Sequence, residues 1–177
     1  MHRFLILFVI LLLGLFTIEL LQPVQDHVVV PWTALLAKIS AGLAGFFDSN
    51  VISEGKVMRD AITGHGVSIE AGCNGVEAVL LLAAAVIAYP SSIKLKVLGI
   101  VLGFFAIQAV NLMRIITLYY MADWNPKVFE FFHLYLWQAL IMLDVLVVWL
   151  VWLKQVGKEE ARKDQDKNAG GSHVVAA

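Results

Sequence analysis

The chain has 177 residues, of which 60% are hydrophobic and 15% charged, with mean hydropathy +0.80 and a formal net charge of -1. This is far more apolar than the ~45–50% of an ordinary soluble domain and excludes one; the length suits a single all-α integral membrane domain of about four spans of ~20 residues. A lone cysteine excludes an internal disulfide framework, a tetracysteine zinc site and a dithiol relay within the chain.

After His2 and Arg3, the apolar run Phe4 to Leu21 carries only Thr17 and Glu19 as breaks and is long enough to cross the ~30 Å hydrocarbon layer. Thr17 to Pro23 offers no small-residue cleavage site, so the run reads as an uncleaved anchor with Glu19 at the far interface. From Pro31 to Phe47, Trp32, Leu35, Leu36, Ile39, Leu43, Phe46 and Phe47 recur at three and four residues, with Lys38 and Ser40 opposite. That pattern predicts an amphipathic helix lying in the membrane surface or packed on the outer ends of the spans; crossing is the alternative, and it would move Cys73 to the other side. Residues 48–72 are polar and glycine-punctuated, with alternation in Val67-Ser68-Ile69-Glu70 after the turn Gly64-His65-Gly66, which predicts a small extracytoplasmic hairpin. His65 is either a competing base or a solvated turn histidine.

The second span is expected from near Cys73 to Tyr89, ended by Pro90, and the third from Lys94 to about Met121. Asp123 to Lys127 is a short connection, and the fourth span starts near His133 and ends near Leu153. Residues 1–153 therefore form the membrane domain, and 154–177, charged and then rich in Gly and Ala, are expected to be a disordered tail.

Lysine and arginine collect on the cytoplasmic side. With both termini inside, Arg3, Lys94, Lys96, Lys154, Lys158, Arg162, Lys163 and Lys167 are cytoplasmic, against Lys38, Lys56, Arg59 and Lys127 outside. This orientation puts Cys73 outside, and in an inner membrane it would face the periplasm. Arg114 lies 18 residues beyond Lys96, about 27 Å along a helix, and so near the outer end of the third span. Cys73 opens the second span from outside and His133 the fourth, so all three reach one layer.

A cysteine at a helix start meets unpaired N–H groups and the positive end of the dipole, both of which favour thiolate; the plainer alternative is a small packed hydrophobe. Arg114 within a span costs at least ~2.5 kcal/mol on insertion scales and needs a partner, a chemical role or a snorkelling path to the headgroups. Together Cys73, His133 and Arg114 can perform acyl transfer as nucleophile, acid/base and oxyanion stabiliser. Asn74, Glu77 and Asn111 are expected to support them. Glu77, one turn past Cys73, either holds Arg114 or His133 or is an interface carboxylate with no special role. Gln108 and Asn111 share a broad face with Arg114, and Asp144, three turns below His133, is expected as a packing partner, with Gln108 a candidate for it. No metal cluster, phosphate-binding glycine loop or nucleic-acid patch is visible, so neither cofactor nor metal is expected.

The blocks Glu70-Ala71-Gly72-Cys73-Asn74-Gly75-Val76-Glu77, Asn111-Leu112-Met113-Arg114-Ile115 and Phe132-His133-Leu134-Tyr135-Leu136-Trp137-Gln138 resemble, in order and spacing, the three signature blocks of the exosortase/archaeosortase family. The short length and the first block most resemble exosortase H. The resemblance implies a membrane cysteine transpeptidase with Cys73, Arg114 and His133 as its catalytic set. Its implied partners are exported proteins ending in a short motif, a transmembrane helix and a basic cluster; for exosortase H the motif is Ile-Pro-Thr-Leu, two variable residues and Trp-Gly. Two alternatives stay open: a plain cysteine protease resolved by water, and a non-catalytic membrane scaffold or assembly subunit.

Overall fold

The computed structural model describes residues 2–172. Four helical segments are long and apolar enough to cross a membrane: His2–Glu19 (α1), Gln22–Ala44, Ile93–Trp124 (α5) and Pro126–Lys163. The second comprises α2 (Gln22–Val24), a π-helical turn Gln25–Val29 and α3 (Val30–Ala44). A fifth apolar helix, α4 (Val76–Ala88), has only 13 residues. The last segment is built from α6 (Pro126–Phe131), a second π turn Phe132–Leu136 and α7 (Trp137–Ser172).

The bundle is α1, α4, α5 and α7. Phe4 near the start of α1 meets Tyr89 just past α4 at 6.0 Å and Trp149 of α7 at 6.4 Å, so α1 rises while α4 and α7 descend. Ala78, Leu82 and Val86 of α4 pack with Ile107 of α5 and Ile141, Val145 and Trp152 of α7. Two glycines allow this closeness: a Cβ on Gly99 would fall 2.4 Å from Trp152, and one on Gly103 would fall 2.2 Å from Leu82. Trp152 Nε1 also donates to the Leu95 carbonyl at 2.8 Å.

The segment Gln22–Ala44 does not run back down this bundle. Trp32 packs on Phe104 with ring centroids 5.3 Å apart, while Leu36, Ala37, Ala41 and Ala44 pack with Ile115 and Tyr119, further along α5. Therefore α3 climbs parallel to α5 from the C-terminal end of α1, past the end of the bundle. The π turn just before Pro31 accommodates a ring that lacks an N–H and crowds the preceding turn.

Its large apolar residues face outward, as a helix lying in the membrane surface would place them, and small residues make the protein contact. Leu35, Ile39, Leu43, Phe46 and Phe47 are exposed, Phe47 at 93%, and the inward positions are Thr33, Leu36, Ala37, Ser40, Ala41 and Ala44. Lipid accepts large apolar side chains, so the small ones take the protein contact, where they let backbones approach.

Between α3 and α4 lies a three-stranded antiparallel sheet in the order β1 (Val51–Glu54), β2 (Val57–Asp60), β3 (Gly66–Ser68). One strand more than the expected hairpin forms because Met58 pairs with Ser53 on one side and Val67 on the other and is fully buried against α3. Glu19 is buried, with Gln25 Nε2 donating to its carboxylate and its carbonyl, both at 2.8 Å. At the other end α7 stays helical to Ser172, where disorder was expected from residue 154; the run is rich in good helix formers and carries the i,i+4 pair Glu159–Lys163. Residues 173–177 of that tail lie outside the described residues.

Candidate active site

The loop from Glu70 to Gly75 turns twice on glycines in left-handed conformations, Gly72 at φ 81° and Gly75 at φ 73°. Helix α4 begins only at Val76, so Cys73 stands ahead of the first turn and its own N–H is tied to the Glu70 carbonyl at 3.0 Å. The helix-start stabilisation expected for the thiolate is correspondingly weaker. The Glu77 carboxylate accepts from the Gly72 N–H at 2.7 Å. It thus braces the loop and forms no hydrogen bond or ion pair with Arg114 or His133 among the described residues.

Side chains from two helical segments meet Cys73 at this loop. The Cys73 sulfur lies 3.3 Å from His133 Nε2 and 3.2 Å from Arg114 Nη2. A second guanidinium nitrogen, Nη1, donates to the Gly72 carbonyl at 3.2 Å. Val67, Ser68 and Ile69 of the sheet region, Ile115 and Leu118 of α5 and Phe129 of α6 wall the crevice. Phe129 lies 5.4 Å from the His133 ring. That ring sits in the π turn Phe132–Leu136, which spacing arguments based on a uniform α-helix do not foresee.

Arg114 is 3% exposed and makes no ion pair with a carboxylate among the described residues. It does not snorkel. A buried cation left without an anion is costly, and the group beside it that can become one is the Cys73 thiol. Burial pushes that thiol up from its ordinary value, Arg114 pulls against the rise, and Glu77 and Glu70 add to it. A thiol held in this way needs a base at hand, and His133 is the base within reach.

The remaining candidates fall outside this contact. Asn111, fully buried, donates to Gln108 at 3.5 Å and supports the helix below Arg114. His65 faces Asp123 at 4.0 Å across the sheet turn and is no base for Cys73. Gln108 bonds Asn74 and Asn111, so the expected Gln108–Asp144 pairing is absent, and one Asp144 oxygen has no partner among the described residues. Trp32 and Thr33 reach the site loop from α3, 42 and 41 positions away in sequence, and nothing in local spacing signals them.

With this geometry established, the model of the transmembrane exosortase family (Exosortase_EpsH) matches residues 2–151. The chain belongs to the exosortase family. No curated protein and no solved structure matches it. Membership in the exosortases points to a membrane transpeptidase acting on sorting signals, and the apolar helices make this exosortase a multi-pass membrane protein. The matched residues include Cys73, Arg114 and His133.

Proposed function

We propose that the protein is a membrane cysteine transpeptidase that cleaves the C-terminal sorting signal of exported proteins and passes them to an acceptor. The observation that carries this reading is one sulfur within 3.3 Å of an imidazole and 3.2 Å of a guanidinium. Cys73 Sγ attacks the scissile carbonyl while His133 takes the thiol proton. Arg114 stabilises the oxyanion of the tetrahedral intermediate. Collapse breaks the C–N bond, His133 returns the proton to the leaving amine, and a thioester remains on Cys73. An acceptor amine, deprotonated by His133, attacks the thioester, forms a new amide and restores the thiol; water in the same place gives hydrolysis.

The substrate class assigned is exported proteins with a short motif, an apolar helix and a basic cluster, the likeness to exosortase H implying the motif Ile-Pro-Thr-Leu-x-x-Trp-Gly. The site would face the periplasm, with both termini cytoplasmic. Coexpression of such a reporter with Cys73→Ala tests the reading: uncleaved reporter should accumulate in the membrane. Normal processing by that variant would favour a scaffold and sink the proposal. Mass spectrometry of the processed C-terminus identifies the scissile bond and separates transfer from hydrolysis.

A further inference from the structure

Asn74 takes no part in that chemistry, yet it is the most heavily bonded residue of the loop, at 1% exposure. Its Nδ2 donates to Thr33 Oγ1 at 3.3 Å, and its Oδ1 accepts from the Val76 N–H at 3.0 Å. Its main-chain carbonyl accepts from two directions, from Trp32 Nε1 at 3.3 Å and Gln108 Nε2 at 3.4 Å. One donor comes from α3 and the other from α5.

Both donors are themselves held. The Trp32 ring packs on Phe104. The Gln108 amide fills the space beside Gly75, where a Cβ would come within 2.8 Å of Nε2, and its oxygen accepts from Asn111, three residues before Arg114. A carbonyl with both lone pairs engaged by donors on separate helices cannot rotate freely, and neither can the short stretch of chain that joins it to Cys73.

We propose that Trp32 and Gln108 are positioning residues that grip the Asn74 carbonyl from two helices and so fix the Cys73 sulfur between Arg114 and His133. The inference rests on Cys73 being the nucleophile. Helix α3 thereby clamps the site loop, through Trp32 and Thr33. Acyl transfer is sensitive to such placement, since a shift of ~1 Å at the reacting atom can cost on the order of 100-fold.

The test uses the full chain in bilayer vesicles with Trp32→Phe, which keeps an aromatic ring and loses the N–H, and Gln108→Met, which keeps the length and loses the amide. Expected are a fall in kcat of about 10- to 100-fold on the reporter with KM within about twofold. Alkylation of Cys73 by iodoacetamide should quicken several-fold as the thiol leaves its half-buried seat, and because Cys73 is the only cysteine the label is unambiguous. Unchanged kcat and alkylation beside a lowered unfolding midpoint would make the bonds merely structural and overturn the proposal, as would a change confined to KM. Should either variant fail to fold, Thr33→Val loosens the same loop through the Asn74 side chain and is judged by the same measurements. Processing that persists in Cys73→Ala would remove the nucleophile reading, whereas the alkylation rates would still report whether the clamp holds the loop.

Discussion

At the scale of single residues, the decisive feature is a guanidinium buried beside a thiol with no carboxylate to neutralise it among the described residues. Arg114 is the group that lowers the Cys73 pKa against the rise from burial. Removing the cation disfavours the thiolate, so Arg114→Gln should move the pH profile of Cys73 alkylation to higher pH. An unchanged profile would show that the guanidinium does not act on the sulfur. The same variant should lose about 100- to 1,000-fold in kcat, the usual cost of removing an oxyanion donor. Arg114→Lys keeps the charge without the fork that holds both sulfur and Gly72 carbonyl, and should recover the alkylation profile better than the turnover. In the parent protein, alkylation should be slow at neutral pH and climb through the range above the ordinary thiol value of ~8.5. That Cys73, Arg114 and His133 share one layer was legible from counting, because helical rise fixes depth, whereas their contact depends on how the helices pack. The bonds of Asn74 were not, because they depend on where α3 lies.

At the scale of elements, α3 shows what periodicity can and cannot tell. Its three-and-four spacing marked a helix with a large apolar face, but not that the small residues Ala37, Ser40, Ala41 and Ala44 would take the protein contact while Leu35, Ile39 and Leu43 stay outside. Enlarging the inward face should therefore be harmful: Ala37→Phe, at a site with 0% exposure, should cost about 1–3 kcal/mol and detach α3 from the sheet. Leu43→Ala on the outward face, 42% exposed, should change stability by less than about 0.5 kcal/mol. Thermal unfolding in detergent distinguishes the two, and equal effects would contradict the assigned face. The sheet behaves conventionally: Val67 and Ile69 turn inward while Ser68 and Glu70 face out, as alternation predicts.

For the whole molecule, the packing puts the start of α1 and the lower part of α7 at the same end of the bundle, and the charge bias predicts that this end is cytoplasmic. In a Cys73→Ser background, Thr63→Cys at the sheet turn should react with a membrane-impermeant maleimide from the periplasmic side. Lys158→Cys on α7 should react only after permeabilisation. The reverse pattern would place the site in the cytoplasm and end the sorting proposal. The number of bundle helices was readable from hydropathy, but the helical continuation to Ser172 was not, since its charged composition reads equally as a solvated tail.

The brevity of α4 bears on where the proposed thioester would sit. Thirteen residues rise only about 20 Å, against a hydrocarbon layer of ~30 Å, whereas the 32 residues of α5 rise about 48 Å and carry ten positions beyond Arg114. The sulfur thus lies short of the far end of α5, in a crevice walled by the sheet region, α5 and Phe129 of α6. In the proposed mechanism, the nucleophile that resolves the thioester must enter the crevice walled by Val67, Ser68, Ile69 and Phe129 to reach Cys73.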